Sequence, residues 1–592
     1  MSVLLGITDS KDITIIQAIL LLKNRGIHIS QVKYIRTAGD DIDESARLFF
    51  FSEGISYQTH NSSNNGVLKD ENDYLLQEDE LMKWYIHSTG DVENVFVFIG
   101  GGHKLHSLAL QKCAFLFGAT DVFHMFISVA RGEEPKSVEE IQHAIDNKNI
   151  LYASLGKEPG WPALRKLTAK GVLEGQIIRT MVERIGSRTV GQINEYPFES
   201  ISLLPGIAIK WLYTPLTEDD YNFVLELPKV ELHCHLGGYA AFGDELDEIR
   251  SSADSTVQIG PKKEIEVPNG WPKPDKPFEL EKYMILGDNN GSYILKNIGC
   301  LNKQVDMLYY HLLAQNIGYA EIRCSPYNYA SEEYSGLEIL QFIQKRFDDN
   351  MTSAKASREF WCHVNLIVIA TRTDTGDHRK IQDHLELAKI AEARSHQEGR
   401  CKIVGVDLAG FEYPGTRASY YSDLFVPIHK KGMALTIHAG ENDDSDAIWD
   451  AVFKLNTRRI GHGLHLYQDR NLLRSVINRR IGIEMCPYAN YQIKGYFPMK
   501  GNTKKYPLID YLRKGAAVTI NTDNIGISNA SLSENFLLAA SMNPELSRMD
   551  VLQLIRNGLE QAFIDTQLRN KLIQVYNERI FNLVFNHEML IK

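Results

Sequence analysis

An alternation of short apolar runs and helical segments fills residues 226–592 and restricts the possible folds more than any other feature. Eight strands alternating with helices are typical of a (β/α)8 TIM barrel. In that fold the active site lies at the carboxyl ends of the strands, so the residues following each strand are the candidates for chemistry. The predicted strands are Val230–His235, Tyr319–Cys324, Val364–Ala370, Ile403–Leu408, Ala434–His438, Arg459–Gly461, Ile481–Cys486 and Ala517–Asn521.

Polar fragments at four of these strand ends together supply the ligands of one metal site. His233 and His235 lie two residues apart on a strand, so their side chains point to the same face and can bind one ion. His438 and Asp523 complete a set of nitrogen and oxygen ligands, which Zn²⁺ prefers in hydrolytic sites. Each fragment alone also fits an ordinary structural turn. The fragments are His233-Cys234-His235, His438-Ala439-Gly440-Glu441, Ile460-Gly461-His462-Gly463 and Asn521-Thr522-Asp523-Asn524.

Two further residues of these fragments are candidates for proton transfer. Glu441 follows His438 by three residues and is placed to exchange protons with a substrate. His462 is placed to hold a hydroxide and to stabilise developing charge. A bound metal would provide that hydroxide at neutral pH, because it lowers the pKa of water from 15.7 to about 7. We therefore predict Glu441 and His462 as the catalytic residues.

The first 130 residues predict a separate α/β domain with a doubly wound, Rossmann-like sheet. Strands are predicted at Val3–Ile7, Val32–Ile35 and Val95–Ile99, and a helix over Ile13–Lys23. Ligands of such sheets bind at the carboxyl ends of the strands. Glycines there let the backbone approach a phosphate, and a helix start adds positive potential, although any tight strand-to-helix turn has a similar composition. The candidate ligand-binding residues are Thr8, Asp9, Ser10, Gly101, Gly102, His103 and Lys104.

Residues 131–225 predict a connector of mixed character, in which Ile201–Pro205 and Ala208–Tyr213 fit a β-hairpin. A net charge of -11 argues against stable binding to nucleic-acid duplexes. Seven scattered cysteines without a Cys-x-x-Cys pair predict reduced thiols. The sequence shows no signal-peptide pattern and no apolar window approaching the ~18 residues of a membrane helix. We expect a cytoplasmic protein without a membrane partner.

The motifs of residues 226–592 resemble the motif series of the adenosine deaminase family, which implies a metal-dependent amidohydrolase barrel. By this resemblance Glu441 would protonate purine N1, His462 would orient the attacking hydroxide and the Gly410 backbone would meet purine N3. Adenine would become hypoxanthine as ammonia leaves. The implied ligands of one Zn²⁺ per chain are His233, His235, His438 and Asp523. The matching segments are Glu231–Leu236, Gly405–Gly410, His438–Glu441, Arg459–Gly463, Glu484–Pro487 and Asn521–Asp523.

Two departures from the family pattern affect substrate choice. Gly237 stands where nucleoside deaminases have an aspartate that contacts the ribose 5′-hydroxyl and would repel a 5′-phosphate. Asn524 replaces a second aspartate that meets purine N7, and an amide can still donate a hydrogen bond there. The first departure favours a nucleotide over free adenosine. Candidate phosphate partners, each of which alone also fits a solvated basic loop, are Lys494, Lys500, Lys504, Lys505, Lys262, Lys263 and Arg250.

The turn Gly100–Lys104 and its partner loop Thr8–Ser10 resemble those of CRISPR-associated Rossmann-fold sensor domains. Joined to a deaminase barrel, they resemble the CRISPR-associated adenosine deaminases of type III antiviral defence. This resemblance implies that cyclic tetra- or hexa-adenylate activates conversion of ATP to ITP, and that the chain forms a homo-oligomer built from dimers, a hexamer being one arrangement. The ring size is left open. The alternatives are a deaminase of adenosine or deoxyadenosine, and a catalytically inactive nucleotide-binding sensor.

Overall fold

The structure is a computed structural model, and its residues form two compact units. The first comprises Met1–Gln192 with Ser202–Pro205, and the second comprises Ile193–Ile201 with Gly206–Lys592. The residues described are 2–8, 11–37, 41–62, 71–89, 92–101, 104–129, 134–158, 160, 196–204, 206–263, 266–372, 378–394, 401–496 and 505–589.

A six-stranded sheet forms the centre of the first unit. Its order is β3-β2-β1-β4-β5-β6, in which β1 to β5 are parallel and β6 is antiparallel to β5. The strands are β1 (Ser2–Thr8), β2 (Gln31–Arg36), β3 (Ser56–Asn61), β4 (Asn94–Phe98), β5 (Ala119–Ile127) and β6 (Ile150–Glu158). The helices are Ile13–Asn24, Glu44–Ser52, Glu71–Thr89, Lys104–Phe117 and Val138–Asp146.

The strand order reverses between β1 and β4, because β2 and β3 lie on one side of β1 whereas β4 and β5 lie on the other. Sheets of this kind bind ligands at such a switch point, outside the carboxyl ends of the strands. The predicted α/β sheet is therefore present, while its assignment as a Rossmann-like sensor stays a prediction. Helix Val138–Asp146 and β6 belong to this unit, although they lie in the stretch that the sequence assigns to the connector.

Eight parallel strands form the barrel of the second unit, and they neighbour one another in chain order. Residue Cys234 of the first strand bridges Asp523, just beyond the last strand, and brings the two edges together. All eight predicted strands are present, with ends that differ by a few residues. They are β7 (Lys229–His235), β8 (Ile317–Cys324), β9 (His363–Thr371), β10 (Ile403–Ala409), β11 (Ala434–Ala439), β12 (Arg459–His462), β13 (Gly482–Met485) and β14 (Ala517–Ile520).

Helices precede the first barrel strand, lie between successive strands and follow the last one. They are Gly206–Leu212, Tyr221–Glu226, Gly243–Ser251, Leu280–Leu286, Ile298–Ala314, Pro326–Tyr329, Gly336–Ser357, Arg379–Arg394, Ser422–Lys431, Ser445–Phe453, Arg470–Asn478, Pro487–Lys494, Leu508–Arg513, Ile525–Ser528, Leu532–Met542, Arg548–Gln561 and Thr566–Met589. No helix in the described part of the chain is both long and apolar enough to cross a membrane.

The predicted β-hairpin near Pro205-Gly206 is wrong. A 3₁₀ turn over Glu199–Leu203 and helix Gly206–Leu212 occupy that stretch instead. Ala208 and Leu212 are four residues apart and fully buried, so they lie on one face of the helix. The spacing of these two buried residues therefore favours a helix, although a proline-glycine pair is typical of a turn.

The barrel interior contains a network of charged side chains from neighbouring strands. Arg459 on β12 donates to Glu484 on β13 and Glu321 on β8, each at 2.5 Å. Arg323 on β8 donates to Asp407 on β10 at 2.7 Å and also to Glu484. All five side chains are fully buried, so each charge depends on its partners rather than on water.

Candidate metal and active site

Four predicted ligands meet at the carboxyl end of the barrel. The ligand atoms of His233, His235 and His438 all lie within 4.8 Å of one another. Asp523 Oδ1 lies 3.4 Å from His235 Nε2 and 3.7 Å from His233 Nε2. Three imidazole nitrogens and one carboxylate that converge in this way fit the donor set of a hydrolytic Zn²⁺ site. Their role as ligands stays a prediction.

Backbone hydrogen bonds fix two of these ligands relative to each other. The His235 N–H donates to the carbonyl of Asp523 at 2.8 Å, and the Asp523 N–H donates to the carbonyl of His233 at 2.7 Å. Asp523 adopts a left-handed conformation with a φ of 61°. The peptide pairing that joins the first and last strands therefore also places the metal ligands.

Carboxylates behind two histidines set which nitrogen faces the ion. His233 Nδ1 lies 3.0 Å from Glu484 Oε2, and His438 Nδ1 lies 3.1 Å from Asp407 Oδ1. Each carboxylate accepts a hydrogen bond from the Nδ1–H group, so the ring proton lies on Nδ1 and the Nε2 lone pair is free to bind a cation. Burial, with Arg323 as the next cause, lowers the pKa of His233 well below its usual value, so the ring is in the neutral form that a metal requires.

Glu441 is buried and lines the same cavity as His438 and Asp523. Its Oε1 makes no hydrogen bond with any residue that the structure describes, whereas Oε2 lies 3.7 Å from His462 Nε2. Burial raises the pKa of the Glu441 carboxyl, and the Lys494 charge partly opposes this. A carboxyl with a raised pKa and a free oxygen suits transfer of a proton to a bound substrate.

Glu412, which no motif in the sequence marks, holds the turn that carries Glu441. Its buried carboxylate accepts the backbone N–H groups of Gly440 at 2.6 Å, Glu441 at 2.9 Å and Asn442 at 2.9 Å. Gly440 has a φ of 73°, and a Cβ there would lie 2.4 Å from Ile448 Cδ1. The direction of the Glu441 side chain therefore depends on a carboxylate that follows a different strand.

His462 has the opposite tautomer to the two ligand histidines. The Cys486 N–H at 3.2 Å and the Tyr506 hydroxyl at 2.9 Å both donate to Asn490 Oδ1. The Asn490 amide group therefore faces His462 Nδ1, 3.0 Å away, and donates to it. Nδ1 accepts, so the ring proton lies on Nε2 and can be donated to an oxygen near the metal site. No motif in the sequence marks Asn490 or Tyr506.

A cavity of about 250 Å³ opens onto these residues, and all three predicted substrate contacts line it. Gly410 has a φ of 98°, and a Cβ there would lie 2.9 Å from Thr371 Cγ2. A Cβ at Gly237 would lie 2.3 Å from Ser292 Oγ, so the wall is close at this point. Asn524 Nδ2 donates a hydrogen bond to Asp523 Oδ1 at 2.7 Å, and its amide group also hydrogen-bonds the Tyr283 hydroxyl, which lines the same cavity.

The basic residues predicted for phosphate binding, as far as the structure describes them, do not line this cavity, although Lys494 is close enough for its charge to act on Glu441. None of the five that the structure describes lines the cavity, and Lys500 and Lys504 lie outside the described residues. Lys494 donates to Asn442 Oδ1 at 2.5 Å, Lys262 pairs with Asp247 at 2.6 Å, and Lys505 pairs with Asp510 at 3.4 Å. The described lysine that does line the cavity is Lys380, which is exposed. Lys380 follows β9 in the chain, but no motif around it indicates a role in ligand binding.

The first unit brings two parts of the predicted sensor site together. A Cβ on Gly101 would lie 2.0 Å from the carbonyl oxygen of Ile7, so only glycine fits where this turn meets the end of β1. Thr8 ends that strand, and its hydroxyl donates to the carbonyl of Lys11 at 2.8 Å. Lys104 is exposed at the start of helix Lys104–Phe117. The other four predicted residues, Asp9, Ser10, Gly102 and His103, lie outside the described residues.

Comparison with known proteins gives consistent matches to the barrel. A model of the family described as adenosine deaminase matches residues 228–578, more than half of the chain. The adenosine deaminase of Clostridium acetobutylicum is 26% identical over 373 residues, which are 59% of this chain and 97% of that protein. The adenosine deaminase of Yersinia pseudotuberculosis strain YPIII is 32% identical over 263 residues, which are 43% of this chain and 72% of that protein.

A solved structure also matches the fold. It is an amidohydrolase from Burkholderia ambifaria with bound Zn, 17% identical, with a TM-score of 0.50. The match covers 64% of this chain and 98% of that chain. At this identity the likeness supports the barrel fold alone.

Asp407→Asn should weaken Zn²⁺ binding by about 10- to 100-fold, because an amide holds the Nδ1 proton of His438 less strongly than a carboxylate. Competition with a chromophoric zinc chelator measures the affinity. Asp446→Asn is a matched control, because its exposed carboxylate lies 3.3 Å from Arg417, away from the ligands. Equal affinities in the two variants would contradict the orienting role of Asp407.

Proposed function

The chain belongs to the adenosine deaminase family, and we propose that it is a zinc-dependent hydrolytic deaminase of adenine nucleotides that converts ATP to ITP. The observation that carries the proposal is the convergence of four ligand side chains beside a buried glutamate in one cavity. One Zn²⁺ per chain fits the donors His233, His235, His438 and Asp523.

Each residue of the site has a separate role in hydrolysis at purine C6. When bound, Zn²⁺ supplies a nucleophilic water at neutral pH by lowering its pKa from 15.7 to about 7. Glu441 gives a proton to purine N1, which makes C6 more electrophilic, and the His462 Nε2–H orients the incoming oxygen. The Gly410 backbone and Asn524 hold the purine at N3 and N7. Of the two protons of the attacking water, one replaces the proton that Glu441 gave to N1 and the other goes to the amino group. The C6–N bond then breaks, ammonia leaves, and the oxygen of water remains on the ring as hypoxanthine.

Glu441→Gln should lower turnover by about 10²- to 10⁴-fold and leave zinc content unchanged, because the amide fills the same space but cannot transfer the proton. Steady-state kinetics and metal analysis of the same preparation measure both. Glu545→Gln is a control on an exposed side chain that pairs with Lys505. Turnover near that of the unaltered protein would show that another group carries the proton.

The walls of the cavity support a phosphorylated substrate. Among the described lining residues, the only carboxylates are Glu441 and Asp523 at the metal end. Gly237 adds no negative charge to the wall, and Lys380 adds a positive one. A substrate with a 5′-phosphate is therefore not repelled, and a cation is available to pair with it.

The charge effect at Gly237 can be separated from the steric effect. Gly237→Asp and Gly237→Asn both place a Cβ 2.3 Å from Ser292 Oγ, so they share the same crowding. The aspartate variant should lose about tenfold more kcat/KM with ATP than the asparagine variant does, because it adds a like charge. With adenosine the two variants should differ little. Equal losses on both substrates would contradict the role of charge.

The first unit is proposed as the sensor that controls this activity in type III CRISPR antiviral defence. A cyclic tetra- or hexa-adenylate would bind near Thr8–Ser10 and Gly101–Lys104, across the two-fold axis of a homo-oligomer built from dimers. The contact between Gly101 and Ile7 at the switch point of the sheet supports a ligand site there. The seven cysteines, all buried and unpaired, suit a reducing cytoplasm.

Adenosine itself is the second candidate substrate, because it is the compound named in the relatives from Clostridium and Yersinia. Deamination of ATP and adenosine by the zinc-loaded full chain, with and without each cyclic adenylate, decides between them. The ultraviolet change from adenine to hypoxanthine reports the reaction.

We expect conversion of ATP that depends on the cyclic adenylate, and little conversion of adenosine.

The Lys104→Ala variant should need a higher activator concentration for the same rate, and its zinc content should stay unchanged. Conversion of adenosine without activator would overturn both the sensor and the nucleotide proposals. No conversion of either substrate would favour an inactive nucleotide-binding sensor.

A further inference from the structure

A second cavity, of about 490 Å³, lies at the amino end of the barrel strands, whereas the metal site lies at their carboxyl ends. Residues just before β12 and just before β13 form part of its wall, and the last two helices supply the rest. The lining residues are Asn456, Thr457, Arg458, Arg479, Arg480, Ile481, Glu560, Gln561 and Arg569.

The lining of this cavity is strongly positive, although the chain as a whole carries a net charge of -11. Four arginines and one glutamate line it, which gives a net charge of +3. Glu560 pairs with Arg480 at 3.0 Å and also with Arg556 at 3.0 Å. The one negative charge is thus shared with an arginine outside the lining, and it does not neutralise the cavity.

Most of the guanidinium N–H groups have no acceptor among the residues that the structure describes. The Arg458 side chain is exposed, and its guanidinium makes no hydrogen bond or ion pair with a described residue; its guanidinium carbon lies 5.8 Å from the Phe563 ring centre. Arg479 makes one long hydrogen bond, 3.3 Å to the carbonyl of Val452. Arg480 has a side chain that is 77% exposed. Each guanidinium carries five N–H donors, so these three have many to offer to a ligand.

Arg569 differs from the other three arginines. It donates to the carbonyls of Leu559 at 3.1 Å, Ala562 at 2.9 Å and Ile564 at 3.1 Å, which fixes its guanidinium on the end of helix Arg548–Gln561. It therefore contributes a rigid positive charge, whereas the others can adjust to a bound anion.

We propose that this cavity binds an oligophosphate group, either inorganic or the phosphate chain of a nucleotide. Guanidinium groups recognise phosphate oxygens with paired hydrogen bonds, and several positive charges near one another call for a ligand with several negative charges. The volume lies in the range of small-molecule sites. The site is distinct from the catalytic cavity and does not depend on the proposed deaminase activity.

Isothermal titration of the zinc-loaded full chain with inorganic tripolyphosphate tests the proposal, with zinc content measured before and after. Saturable binding is expected. The double variant Arg458→Gln with Arg480→Gln should weaken it by about tenfold or more, because each arginine provides charge-assisted hydrogen bonds. Arg470→Gln with Arg474→Gln makes the same change of charge on exposed arginines outside the cavity and should bind as the unaltered protein does.

Two further arms identify the site and the source of the phosphate. Lys380→Ala alters the catalytic cavity and should leave tripolyphosphate binding unchanged. Titration with ATP in place of tripolyphosphate compares the two sources of phosphate. Tighter binding of ATP that is also weakened in the Arg458→Gln with Arg480→Gln variant would indicate a nucleotide as the ligand. Absence of saturable binding, equal weakening in the two double variants, or loss of binding in Lys380→Ala would overturn the proposal.

Discussion

The candidate active site depends on the buried guanidinium of Arg323. It donates to Asp407 and to Glu484, and these two carboxylates hold the Nδ1 atoms of His438 and His233. Burial alone would raise the pKa of Asp407, but the nearby His438 and Arg323 hold it well below the usual value. Both carboxylates therefore stay charged and act as acceptors. One arginine thus orients two metal ligands on strands that are not neighbours, which no local feature of either strand could do.

The site also places non-glycine residues in unfavourable backbone conformations. His462 and Asp523 have φ values of 64° and 61°, a left-handed region that side chains other than glycine rarely adopt. Each such residue costs of order 1–3 kcal/mol, and it persists only where the surroundings fix it. The bonds from Asn490 to His462 and from the barrel-closing strand to Asp523 provide that support. Backbone strain and side-chain function coincide at these two positions.

Much of the barrel could be predicted from the sequence, because each strand is a short apolar run and the polar residues after it share one end of the sheet. The residues that orient the site could not. Glu412 and Asn490 act on residues 28 or more positions away, and nothing near them in the chain marks the contact. Lys380 follows a strand but has no motif around it. The hairpin prediction is wrong because burial of Ala208 and Leu212 on one helical face stabilises a helix more than the Pro205-Gly206 pair favours a turn.

The two ends of the barrel differ in chemistry, and the Arg459 side chain makes hydrogen bonds toward each end. At the carboxyl ends, imidazoles and carboxylates suit a cation, whereas at the amino ends four arginines, most of whose N–H groups have no acceptor among the described residues, suit an anion. Arg459 Nη1 donates at 2.9 Å to the carbonyl of Gln561, which lines the arginine cavity, while its Nε donates to Glu484, the partner of His233. Hydrogen bonds therefore connect Gln561 through Arg459 and Glu484 to His233, and all of them are buried except the partly buried one at Gln561. Because Arg459 divides its donors between Glu484 and the Gln561 carbonyl, one wall residue of the arginine cavity is tied by hydrogen bonds to the carboxylate that orients His233.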